Sequence, residues 1–208
     1  MKMKTRTVVL LLLVLLLVLF LTKSRGVSAQ GKTPMRVITL SASGYERGHA
    51  LAFSSDGEYL AVGGTSGVYV FNFKTLSAID FIQTNTWARS IAFLPKTDIL
   101  AAGLFDQTIK FWDVPNTKFL QTLKGPQGWV RSISVSGDGS LIASASDDDT
   151  LHVWDLNSGG SALVLSDENT KGIRAVALSP DGKLVAGAPG DNTVRVWSLP
   201  DGKLLHTL

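Results

Sequence analysis

Three arginines, Arg89, Arg131 and Arg174, recur at intervals of 42 and 43 residues. A guanidinium stays protonated, so such a column suits capture of carboxylate or phosphate rather than proton transfer. Trp87 and Trp129 occupy matching positions just ahead of two of these arginines, and Tyr45 lies near the corresponding place one interval earlier. Aromatic and arginine side chains anchor many interfaces, which makes all six candidate binding residues. Two plainer roles compete: rings that cap gaps between structural units, and arginines that pair with nearby aspartates. Asp147, Asp148 and Asp149 form the one acidic run. Calcium takes roughly six to eight oxygens, and three adjacent side chains on a tight turn cannot converge on one ion unaided. His152 falls in a strand pattern and His206 in a later one, neither with a second ligand at metal spacing, so both are expected at a surface or edge. Cysteine is absent, which excludes disulfides, thiolate metal sites, a cysteine nucleophile and a lipidated-cysteine anchor. No G-x-S-x-G motif occurs. These residues predict binding without catalysis, and no metal or cofactor.

Charge and targeting separate the N-terminus from the rest. Five of the twenty basic residues lie in residues 1–29, which hold no acidic residue, leaving fifteen basic against seventeen acidic side chains and a net charge of −2 beyond that point. The basic balance therefore belongs to the leader and gives no argument for nucleic-acid binding. Lys2, Lys4 and Arg6 precede an unbroken apolar run of fourteen residues, 8–21. A helix of that length spans roughly 21 Å, short of the roughly 30 Å hydrocarbon core. Val27-Ser28-Ala29 reads as a cleavage site, so residues 1–29 are expected to be a signal peptide followed by a linker over 30–34. The rival is an uncleaved anchor that holds the chain to a membrane through 8–21. Either reading places the remainder outside the cytoplasm.

The elements that must position the candidate residues come from an internal repeat. Segments beginning at Leu51, Ile91, Ile133 and Val176 align, and each is followed by an anchor pair: Phe71-Asn72, Trp112-Asp113, Trp154-Asp155 and Trp197-Ser198. The apolar period inside a unit is two, the period of strands. Asp56-Gly57, Asp138-Gly139 and Asp181-Gly182 fall between two such runs, where a tight hairpin needs positive φ. Each unit thus reads as four strands, a to d, and a fifth d-like strand is expected over 36–40.

The S-x-D-G turn, the closing W-D and the roughly forty-residue period resemble the WD-repeat β-propeller family over about residues 35–208. The resemblance implies an all-β fold of four blades of four antiparallel strands, at about 45–83, 84–123, 124–165 and 166–208. It also implies a protein-interaction scaffold, which the leader would place outside the cytoplasm. Its structural positions map onto Asp106, Asp148 and Asp191 in the b–c turns, onto Trp112, Trp154 and Trp197, and onto Asp113 and Asp155. Family members carry a Gly-His pair ahead of strand a whose histidine bonds the turn aspartate. Every unit here lacks it, Gly125-Pro126 standing in its place in the third. Each turn aspartate must then find other partners or face water.

Blades bury their faces against one another, so four in an open arc leave two faces bare. The expected solutions are a longer propeller of which this is the front part, closure by a second copy, or four-bladed closure. Two further functions remain open: a sensor binding an anionic small molecule or glycan at the arginines, and a lactonase or hydrolase completed by further blades.

Overall fold

The computed structural model describes residues 47–75, 77–159, 163–166 and 171–208. The expected leader, linker, leading strand and Tyr45 lie outside the described residues, as does part of the loop preceding Lys171.

The described chain is sixteen strands in four antiparallel sheets, each in simple a-b-c-d order. The first holds β1 (Ala50–Phe53), β2 (Tyr59–Gly63), β3 (Gly67–Asn72) and β4 (Ser77–Gln83). The second holds β5 (Ala88–Phe93), β6 (Ile99–Leu104), β7 (Thr108–Asp113) and β8 (Lys118–Lys124). The third holds β9 (Val130–Val135), β10 (Leu141–Ser146), β11 (Leu151–Asp155) and β12 (Leu163–Leu165). The fourth holds β13 (Ile173–Leu178), β14 (Leu184–Pro189), β15 (Arg195–Ser198) and β16 (Leu204–Thr207). No helix occurs among the described residues.

Local chemistry explains the a–b hairpins. In three units a serine hydroxyl donates to the aspartate two residues on, as Ser136 Oγ does to Asp138 at 2.6 Å, and accepts the first N–H of the next strand, from Leu141 at 2.9 Å. The glycine that follows takes φ near +70°, +78° at Gly139, as the D-G pairs predict. The second unit has Leu94-Pro95-Lys96-Thr97 instead, and places positive φ (60°) on Lys96.

The core is not one mass but three clusters, one at each contact between neighbouring sheets. The b strands are buried on both sides, which explains their runs of small residues: Ala101 and Ala102, Ala143 and Ala145 are all inaccessible. Gly103 marks one close approach, since a Cβ there would lie 2.6 Å from Val130 Cγ1 of the next sheet. Serine hydroxyls on the a strands tie neighbours together. Ser90 accepts from Ile133 N at 3.0 Å, and Ser134 from Leu178 N at 3.0 Å.

The two end sheets are open. Leu51 is 71% exposed, whereas its equivalents Ile91, Ile133 and Val176 are 7–9% exposed against the preceding sheet. At the other end Val194 is 39% exposed, whereas Val68, Ile109 and Leu151 at the same register are at 0%. The stack is thus an incomplete propeller.

Candidate binding site on the loop face

The sequence places one arginine at the start of each of β5, β9 and β13, and the structure explains its outward aim. Backbone pairing shifts by one residue at this point in all three strands, from Ala88 to Ser90, from Val130 to Ser132 and from Ile173 to Ala175. Arg89, Arg131 and Arg174 are the extra residues at these bulges, which re-aims their side chains toward the loops.

The residue that follows each b strand decides each arginine's fate. In the third sheet it is Asp147, and Arg131 grips it with two parallel bonds, Nε to Oδ1 at 2.7 Å and Nη2 to Oδ2 at 2.6 Å. This pairing raises the Arg131 pKa against the opposing effect of burial. The same position in the second sheet is Phe105 and in the fourth is Gly190. Arg89 and Arg174 accordingly have no carboxylate partner among the described residues. Pairing with turn aspartates thus accounts for one arginine of three.

The aromatic residues form a continuous ladder along the same edge. His49 stacks on Trp87 with ring centroids 5.0 Å apart, Trp87 on Phe105 at 5.0 Å, and Phe105 on Trp129 at 4.5 Å. The Arg131 guanidinium lies 5.4 Å from the Phe105 ring and 5.2 Å from that of Trp129. The ladder spans three sheets, yet Trp87 and Trp129 remain 43% and 46% exposed. The rings therefore bridge blades and still present surface. Phe105 is not among the candidate residues that the repeat singles out. Its only sequence signal is an aromatic at the register where the third unit has Asp147.

Two adjoining cavities open here. One, of about 580 Å³, is lined by Arg89, Arg131, Asp147, Lys171 and Arg174. The other, of about 470 Å³, is lined by the ladder and shares Arg89 and Arg131 with the first.

The three side chains of the acidic run turn to separate partners. Asp147 holds Arg131, Asp148 accepts from Thr150 and from Gln127 N, and Asp149 accepts from Gly172 N. For Asp148, burial raises the pKa, but these bonds outweigh it and leave the net shift downward.

Two of the three turn aspartates, Asp106 and Asp191, find their missing partners on strand c. Asp106 accepts from Thr108 and Lys110, the latter at 2.7 Å. Asp191 accepts from Thr193 and Arg195, the latter also at 2.7 Å. Lys110, His152 and Arg195 occupy one register position. His152 therefore corrects the surface or edge expectation: it is buried, stacked on Trp154 at 5.4 Å. The reason is that stacked sheets cover both faces of strand c, so no face of β11 was available for a surface histidine. A Cβ on Gly125 would lie 3.0 Å from His152 Nδ1, so the imidazole fills the space beside that glycine. Burial lowers its pKa, with Asp148 pulling weakly the other way. His206, in contrast, is exposed on β16. Trp112, Trp154 and Trp197 are buried facing the preceding sheet, and Asp113 and Asp155 accept bonds that begin the c–d turns.

The WD domain, G-beta repeat, matches residues 77–113, 117–155 and 161–198, together more than half of the chain. This chain belongs to the WD-repeat family. Each matched repeat contributes strand d to one sheet and strands a to c to the next, so every repeat stitches two blades. The matches leave out the strands β1–β3, where Phe71 replaces the tryptophan. No curated protein is matched by the chain. Members of the family generally mediate protein–protein interactions.

Proposed function

We propose that this chain is an exported, non-catalytic scaffold that holds a protein partner on its loop face, through Trp87, Arg89, Trp129, Arg131 and Arg174. The observation that carries the reading is the aromatic ladder, whose two tryptophans stay nearly half exposed while locked by stacking. Rigid aromatic surface binds at low entropic cost, and loops on a fixed scaffold are the usual place for it. Export rests on the leader pattern of residues 1–29. The non-catalytic reading is supported by the scatter of the histidines: His49 lies in the ladder, His152 in the core and His206 on an outer strand. General acid–base chemistry needs such groups within reach of one substrate.

A photo-crosslinking residue in place of Trp129, in the full chain in its native host, tests this. The same residue in place of Leu120, an exposed apolar position on outer strand β8, is the control. The expected result is one discrete adduct from position 129 and none from 120. Equal labelling at both, or none at 129, overturns the reading.

A further inference from the structure

Resting on that loop-face reading, we propose that the partner presents an acidic peptide segment. Its carboxylates seat on Arg89 and Arg174, and a neighbouring apolar side chain lies against Trp87, Phe105 and Trp129.

The argument starts from the register. Three equivalent arginines face three equivalent positions, and only one of those positions, Asp147, supplies a carboxylate. Where Phe105 and Gly190 replace it, Arg89 and Arg174 line the 580 Å³ cavity with no anion opposite among the described residues. Lys171 adds a third such cation, and Arg131 with Asp147 contributes no net charge. The described residues of the lining therefore carry a net charge of +3, in a chain whose residues beyond 29 carry −2 overall. A local positive field on an acidic molecule selects a small acidic epitope rather than a polyanion such as nucleic acid. The Arg131–Asp147 pair shows the geometry an incoming carboxylate would adopt: two parallel bonds to one guanidinium.

The second cavity decides between a free anion and a peptide. It adjoins the first through Arg89 and Arg131, and its walls are stacked rings. A lone inorganic anion would leave that wall unused. A chain with a carboxylate on one residue and an apolar group close by fills both.

The test is selection of phage-displayed dodecapeptides on the full chain, followed by affinity measurement on Arg89→Gln/Arg174→Gln and Trp87→Ala/Trp129→Ala variants. Recovered sequences are expected to be rich in Asp and Glu near an aromatic or aliphatic residue. Their binding should weaken about tenfold or more in either double variant, the size expected for loss of charge-assisted bonds or of a ring anchor. Circular dichroism of both variants should match that of the parent chain, with the melting temperature unchanged in the arginine variant and lowered in the tryptophan variant, whose rings bridge blades. Peptides without acidic enrichment, lost with the tryptophans but not with the arginines, overturn the acidic segment and leave the loop-face scaffold standing. Inorganic phosphate that binds as tightly as any recovered peptide overturns the peptide in favour of a free anion. Recovery of no peptide, or peptides indifferent to both variants, overturns the loop-face reading as well.

Discussion

Lys96 is the one a–b turn residue that works against its backbone. Its φ of 60° lies in the left-handed region, which costs an L-residue roughly 1–2 kcal/mol relative to the right-handed helix region. Its backbone N–H donates to Ser55 Oγ at 3.1 Å, a bond that any non-proline residue preserves. Lys96→Gly should therefore raise the unfolding free energy by about 0.5–1 kcal/mol in urea titration. His152 gives a second residue-scale prediction, in pH. Burial holds its folded pKa below the ordinary 6.5, so between those two values the unfolded state binds more protons. Stability should then fall as pH drops through 6.5 toward the lower folded-state value, and His152→Gln should flatten that slope. The aspartates act in a different window. Asp138, held at about 2 by Ser136 and Ser140, contributes stability above the ordinary 3.8 that is lost only as pH falls toward 2. Denaturant midpoints measured from pH 8 to pH 2 separate the two effects.

At the scale of the strand, the basic residue on strand c replaces a histidine that the family supplies from the loop before strand a. The substitution works because position c sits beside its own b–c turn, four residues from the aspartate it must reach. The two ion pairs are not equally sheltered. The Arg195 side chain is 5% exposed, that of Lys110 25%. Removing a partner from a buried charge costs far more than removing one from a charge that water can reach. Asp191→Ala should lower the melting temperature distinctly more than Asp106→Ala, as thermal denaturation of the two variants would show.

At the scale of the molecule, blades are stable only in contact. Each inner sheet covers both its faces and each end sheet covers one, leaving Leu51 and Phe53 bare at one end and Val194 at the other. Exposed apolar faces of this kind drive association. The blade 1 face has a ready match in the chain's own design. Ala175 and Ala177 on the bare face of the fourth sheet repeat Ala50 and Ala52, which pack toward Ile91 and Phe93; Leu51 and Phe53 repeat that second pair. The full chain should self-associate at micromolar concentration, and Leu51→Lys with Phe53→Lys should reduce the scattered mass without altering the β-sheet circular dichroism. Equal mass for both proteins would mean that these faces are covered in another way.

The repeat, its strand period, the D-G turns and the arginine column were all legible from residue order, because each is a local pattern repeated in register. A period of two dictates strands, and Asp-Gly at a hairpin dictates its own φ, whatever lies around them. The rest required neighbours in space. Nothing local marks Phe105 as the middle of a ladder, since its stacking partners belong to loops that only blade packing brings together. The burial of His152 and the lack, among the described residues, of a carboxylate opposite Arg89 and Arg174 likewise depend on what stands across a sheet or beside it. Residue order determined which side chains recur; stacking of the sheets decided which of them are covered, paired or left to meet a partner, because burial and charge compensation are properties of contacts and not of positions.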